Sequence, residues 1–259
     1  MSLPIACIKL GGRVAADEAV LDAFIKELKD LRNGYDFVLV HGGGAEVSRV
    51  SRIFEIEPVF SDGVRVTRSE EMDLVDMVLG GKVNKQLVRQ LYANGVKAVG
   101  MSGVDGATVI GKAVGSNTRT GEPTNINPEL VLSLVDQGLV PVVSPVSMDK
   151  DGGPLNINAD EVALALAGAL PAGWLIYISD IPGILKEEKV ITEIDLQGIE
   201  REIDSKVITG GMIPKVRASA RALEGGVERV VIGGYEKTGN LQMLLNGGSG
   251  TTIYKENTK

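Results

Sequence analysis

Ile5-Ala6-Cys7-Ile8-Lys9-Leu10-Gly11-Gly12-Arg13 decides how the rest of the chain is read. An apolar, strand-like run delivers a lysine and drops at once into two glycines. Such an ending suits an anionic ligand. The Lys9 ammonium supplies charge, and glycines without a Cβ let backbone N–H groups come close to oxygens. Taken alone, the stretch is also compatible with an ordinary first strand, a turn and a solvated lysine. The pattern then recurs. Residues 37–40 form a second apolar run ending in His41-Gly42-Gly43-Gly44. Helical spacing follows each glycine turn, with Val20, Leu21, Phe24, Leu28 and Leu31 over residues 17–31 and a second helix over about 45–54. Strand, glycine turn and helix, twice over, argue for a parallel sheet with ligands at the carboxyl ends of its strands.

A chain of 259 residues fits one large α/β domain or two small lobes. Apolar residues at 44% and charged residues at 24% are ordinary for a globular protein. The net charge of −7 argues against nucleic acid or an anionic membrane as partner. An anionic substrate must then be held by a few local lysines and arginines. The one cysteine, Cys7, falls inside the first strand and reads as a core residue. With no disulfide possible within the chain, a reducing cytoplasm is the expected compartment. The one histidine, His41, leaves little material for a multi-histidine metal site or a histidine relay. Four residues before Ile5 cannot hold a signal peptide. The longest uncharged run, 162–179, is broken by Pro171-Ala172-Gly173 and reads as a buried helix then a strand, not a membrane span.

Further along, residues 58–66 read as a β-hairpin around Ser61-Asp62-Gly63 that carries Arg65. Thr67 and Glu70 have capping-box spacing and open a long helix to about residue 94. Gly80-Gly81 within it allows a bend or a close backbone approach. Its apolar face (Met72, Val75, Val78, Leu79) suits either its own sheet or a subunit interface. Strands are expected at 98–101 and 140–144. Asn127-Pro128 opens a helix that Gly138 ends, and Asn158 with Glu161 is a second capping box. Composition places a boundary near 171–173, dividing the chain into 1–171 and 172–259. Beyond it come a strand at 174–179, a charged and exposed stretch to 204, a helix opened by 209–215, and strands at 229–232 and 251–254. Gly106 to Ala113 nearly fits a phosphate-binding loop, but Ala113 lacks the hydroxyl for Mg²⁺ and residues 108–110 are strand-like.

Six short stretches remain: Lys9-Leu10-Gly11-Gly12, His41-Gly42-Gly43-Gly44, Gly63-Val64-Arg65-Val66-Thr67, Asn156-Ile157-Asn158-Ala159-Asp160, Ser179-Asp180-Ile181-Pro182-Gly183 and Gly210-Gly211-Met212-Ile213-Pro214-Lys215. In this order they closely resemble the amino-acid kinase family, and within it the branch acting on N-acetyl-L-glutamate. The resemblance runs from Ile5 to about Tyr254. It implies a three-layer αβα sandwich around a largely parallel sheet, with a substrate lobe (1–171) and a nucleotide lobe (172–259). It implies ATP-dependent phosphorylation of the γ-carboxylate of N-acetyl-L-glutamate, a step of arginine biosynthesis, with Mg²⁺ carried by the nucleotide. Lys9 and Lys215 would then stabilise the transition state and Asp160 would hold both. Arg65 would clamp the substrate α-carboxylate, with Gly43, Gly44 and Asn156 as further substrate contacts. Gly12, Asp180, Ile181, Pro182, Gly183, Ile184, Leu185, Val207, Ile208, Thr209, Gly210 and Gly211 would hold ATP. The chemistry agrees, because a carboxylate nucleophile is already ionised and needs no general base; catalysis is positioning plus electrostatics.

The arginine-inhibited hexameric members carry an N-terminal helix for which four residues leave no room, so a homodimer without strong arginine feedback is expected. Gly233-Gly234-Tyr235-Glu236 also departs from the acidic-glycine-arginine turn frequent in the family. Two alternatives stand beside this reading. One is a kinase for glutamate or aminoadipate attached to an acidic carrier protein, and the other is a catalytically silent amino-acid-binding regulator.

Overall fold

Short runs of Val, Ile and Leu with almost no polar side chains cannot present either face to water, so they pair in the middle of a sheet covered on both sides. The computed structural model describes residues 3–11, 14, 17–61, 63–210 and 212–255. In chain order the elements are β1 (Ile5–Leu10), α1 (Glu18–Leu31), β2 (Asp36–His41), α2 (Gly44–Ile53), the hairpin β3 (Phe60–Ser61) and β4 (Val64–Arg65), and α3 (Ser69–Val75). A π-helical segment (Asp76–Val83) joins α3 to α4 (Asn84–Ala93), followed by β5 (Ala98–Ser102), β6 (Val109–Ala113), β7 (Thr120–Ile126), α5 (Glu129–Asp136), β8 (Val140–Ser144), β9 (Val146–Asp149), β10 (Pro154–Ile157) and α6 (Ala159–Ala169). The remainder is β11 (Ala172–Ser179), β12 (Leu185–Lys186), β13 (Lys189–Val190), β14 (Glu193–Asp195), α7 (Leu196–Asp204), α8 (Met212–Glu224), β15 (Arg229–Gly234), α9 (Asn240–Leu245) and β16 (Thr251–Tyr254).

Eight strands form one sheet in the order β14-β16-β15-β11-β1-β2-β8-β5. Every neighbouring pair is parallel except β15 with β16. The expected αβα sandwich is the fold. Alternation along the strands sorts side chains between its two cores. Ile5 and Cys7 of β1 join the core under α6 and α8, while Ala6, Ile8 and Leu10 join the core under α1, α4 and α9. The sheet runs without a seam across residue 171, because β11 pairs with β1 along its length.

Cys7 is fully buried, with Sγ 3.7 Å from the Ala163 carbonyl oxygen. Burial pushes its thiol up to about 12. It is therefore expected to ignore an aromatic disulfide reagent in the native protein and to react fully only in denaturant. Rapid labelling without denaturant would contradict this packing.

Several local expectations are corrected. The Thr67–Glu70 capping box does not form. Arg68 takes the N-cap position of α3 without a side-chain cap, and the Thr67 hydroxyl accepts instead from Asn156 Nδ2 at 2.8 Å. Asn158 does cap α6 by accepting from the Asp160 N–H, but Glu161 reaches across to Arg221 at 3.0 Å. In both cases a long-range partner outcompetes the local one. Of the two settings left open for the apolar face of α3 and the π segment, packing within the chain is seen, where Met72, Val75, Val78 and Leu79 cluster with Val47 and Val146. Residues 185–204 are not merely exposed; they hold a hairpin, the sheet-edge strand β14, and α7, which buries Ile199. An unforeseen small closed barrel is made of β10, β7, β6 and β9. Its strand β6 occupies most of the stretch that mimics a phosphate loop.

Candidate active site

Lys9 follows Cys7 by two on β1, so it emerges at the carboxyl end of the sheet on the side of α6 and α8. Its Nζ lies 2.9 Å from Oδ1 of Asp160, and Lys215 Nζ lies 3.7 Å from Oδ2 of the same carboxylate. Asp160 stands in the first turn of α6, where the exposed N–H groups favour an anion. Lys215 stands in the first turn of α8, an unfavourable place for a cation unless an anion faces it. Asp160 is that anion. Both lysine side chains keep 17% of their surface exposed and Asp160 keeps 28%, so the trio is reachable from solvent.

A cleft of about 670 Å³ opens beside them, and Lys9, Gly43, Gly44, Arg65 and Asn156 all line it. They come from four separate turns or strand ends, Gly43 and Gly44 sharing one, which is why no local pattern joins them. Gly11 lies where β1 passes β11 so closely that a Cβ would clash with the Ile178 carbonyl oxygen. Gly43 has φ of +150°, and a Cβ there would meet Leu79 at 2.7 Å.

The Arg65 guanidinium is 7% exposed. Its Nη1 donates to Glu71 Oε1 at 2.8 Å, and Nη2 donates to the Gly44 carbonyl at 3.0 Å and to Ser48 Oγ. The Phe60 ring covers it, with its centroid 4.9 Å from Cζ. Glu71 is fully buried and also accepts from Ser51 Oγ at 3.0 Å. Its part was not visible beforehand, since nothing local to α3 marks its first-turn carboxylates for different fates.

His41 is buried and built into the floor. Asn84 Nδ2 lies 3.1 Å from Nε2 and also faces the carbonyls of Met101 and Val142. A donor at Nε2 puts the ring proton on Nδ1, which donates to the Gly42 carbonyl at 2.7 Å. Burial, aided by the nearby Lys85 charge, lowers the imidazole pKa to about 4 against the opposing pull of that Gly42 bond. The neutral ring thus anchors the glycine turn. The unfolded chain binds this proton near pH 6.5, above the folded value, so the stability it confers is full above about pH 6.5 and is lost as pH falls towards 4. About 3 kcal/mol should disappear across that window by urea unfolding. In His41→Asn the same window should be flatter; an unchanged slope would remove His41 from the account.

The described residues assigned to the nucleotide, 180–185 and 207–210, do not line the cleft. Asp180, Pro182, Leu185, Thr209 and Gly210 are exposed, Ile181 is half-buried and Gly183 is buried. Ile184 and Ile208 point into the core, and Ile184 donates its N–H to Thr251 Oγ1 at 2.8 Å. Val207 and Ile208 both donate to the Glu202 carbonyl at 2.9 Å. Gly12 and Gly211 lie outside the described residues.

Two ammoniums on one carboxylate, at the strand ends of an αβα sandwich and beside a cleft with a buried arginine, define an α/β protein equipped to handle anions. The model of the amino acid kinase family matches residues 4–234, and the chain belongs to that family. It is 40% identical over 253 residues to the acetylglutamate kinase of Geobacillus kaustophilus, covering 96% of each chain. It is 39% identical over 255 residues to the acetylglutamate kinase of Prochlorococcus marinus subsp. pastoris, covering 95% of this chain and 90% of the relative. Among solved structures, a Streptococcus mutans UA159 protein superposes with a TM-score of 0.80 at 29% identity, over 96% of this chain and 98% of the other.

Proposed function

We propose that this chain transfers the γ-phosphoryl group of ATP to the γ-carboxylate of N-acetyl-L-glutamate, yielding N-acetyl-L-glutamyl 5-phosphate and ADP for arginine biosynthesis. The observation that carries the chemistry is the pair of ammoniums, Lys9 and Lys215, held on Asp160 beside a cleft lined by Arg65. The similarity to acetylglutamate kinases over nearly the full chain supports the substrate. In this reading a carboxylate oxygen attacks the γ-phosphorus while the bond to the β–γ bridging oxygen breaks. The lysines neutralise charge on the transferring group, and Asp160 keeps two like charges close together until the phosphates arrive. Arg65, orientated by Glu71 and Gly44, receives the α-carboxylate, with Gly43, Gly44 and Asn156 around it. Residues 180–185 and 207–211, with Gly12, take the nucleotide.

Mg²⁺ belongs in this reading to the ATP phosphates; among the described residues no group of three or more His, Cys, Asp or Glu is placed to hold a metal. Apart from Gly12, residues 1–171 serve the amino-acid substrate and dimerisation, and 172–259 serve the nucleotide. Exposed Ile53, Phe54, Phe60 and Met77 support a homodimer contact. No helix among the described residues is long and apolar enough to cross a membrane. A cytoplasmic setting suits a lone thiol and ATP as co-substrate.

The test is ADP release with Mg-ATP across N-acetyl-L-glutamate, glutamate, aspartate, UMP and carbamate, with hydroxylamine trapping any acyl phosphate. Hydroxamate with N-acetyl-L-glutamate alone supports the reading. Silence from folded, ATP-binding protein overturns it in favour of the carrier-linked substrate.

A further inference from the structure

Asp160 holds its two lysines unequally. Lys9 sits at 2.9 Å, a close ion pair, while Lys215 sits at 3.7 Å, a looser one on a flexible four-carbon stem. Something else must steady Lys215, and β11 supplies it. Tyr177 is the register partner of Lys9 on the neighbouring strand and belongs to the same core under α6 and α8. It is fully buried. Its ring centroid lies 5.6 Å from Lys215 Nζ, and its hydroxyl donates to the backbone carbonyl of Asp160 at 3.3 Å.

We propose that Tyr177 is a positioning residue for the lysine pair: its ring holds the Lys215 ammonium and its hydroxyl fixes the turn that presents the Asp160 carboxylate. The inference rests on the phosphoryl-transfer reading of the site. A ring face suits this task better than a second carboxylate. It attracts the cation through its quadrupole without a full negative charge that would repel the incoming phosphates. The phenol remains a hydrogen-bond donor at working pH, because burial and then the Asp160 charge raise its pKa well above 10. Tyrosine also meets the burial requirement of a central strand, where a polar tip needs a partner and finds one in the Asp160 carbonyl.

The test compares Tyr177→Phe, which keeps the ring, with Tyr177→Leu, which removes it. Tyr177→Phe should lower kcat about twofold, the loss of one modest hydrogen bond. Tyr177→Leu should lower it about tenfold, with KM for both substrates within about twofold. A purely structural tyrosine would lower the unfolding midpoint in Tyr177→Leu and leave the kcat of folded enzyme equal to that of Tyr177→Phe. That result overturns the proposal. A second measurement does not depend on turnover. The side-chain Cε–Hε NMR signal of Lys215, assigned with Lys215→Arg, should carry the ring-current shift in wild type and Tyr177→Phe and lose it in Tyr177→Leu. If wild type forms no hydroxamate, the kinase reading has failed and this signal decides alone. An unmoved signal in Tyr177→Leu then ends the positioning role.

Discussion

Lys9→Met is expected to lower kcat by about 10²–10³-fold, equivalent to about 3–4 kcal/mol of transition-state stabilisation, in a protein that still folds. The size follows from where the ammonium sits. It is mostly buried at a strand end, 2.9 Å from the Asp160 carboxylate, and it lines the cleft. A cation preorganised in this way costs little reorganisation when charge develops on the phosphoryl group. Lys215→Met should lose a comparable amount. Asp160→Asn should also be severe, because two ammoniums would then face each other without a counter-charge. The effects should not add. Lys9→Met with Asp160→Asn should be little worse than the worse single change, as for residues that act as a unit. Hydroxamate formation under saturating substrates reads all four proteins. A Lys9→Met enzyme within tenfold of wild type would sink the assignment of Lys9 to the transition state.

Glu71→Ala is expected to cost about 3–5 kcal/mol of stability, the usual consequence of stranding a buried charge. Arg65 is 7% exposed and Glu71 is fully buried, so neither can turn to bulk water when its partner goes. The remaining contacts of the guanidinium, to Gly44 and Ser48, are neutral and cannot replace the carboxylate. The double change Arg65→Met with Glu71→Leu should recover much of the loss in urea unfolding, because an apolar pair of similar volume fits such a site. It should not recover activity, if Arg65 meets the substrate carboxylate. A Glu71→Ala protein destabilised by under about 1 kcal/mol would mean that the pair is not dry. In the proposed reading, Glu71 would link stability and substrate binding through the Arg65 guanidinium that it holds.

The class of fold was legible in the chain. Apolar runs at residues 5–10 and 37–40, each ending in glycines and followed by helical spacing, dictate parallel strands with crossovers, and the eight-stranded sheet has that form. Cys7 as a core residue was equally legible, because it lies within an apolar run that a sheet covered on both faces buries. The residues Lys9, Asp160 and Lys215 were quotable from their motifs, and tertiary structure brings them within ion-pair distance. Local signals misled where a side chain had two possible partners. Thr67 and Glu161 carry capping-box spacing, yet Asn156 and Arg221 claim them from far along the chain. A hydrogen bond inside a cap is worth about as much as any other, so packing decides which is made.

What the sequence by itself determined is therefore what depends on period and on backbone chemistry: the main strands and helices of the sandwich, the largely parallel character of its sheet, and the glycines at the strand ends. Tertiary structure alone decided which polar groups meet. Glu71 beneath Arg65, Asn84 on His41 and Tyr177 under Lys215 join different elements, and their chemistry exists only once the sheet has set their register. The physical reason is range. Periodicity acts over a few residues, whereas a buried charge or hydroxyl finds its partner through space, wherever folding has removed the competing water.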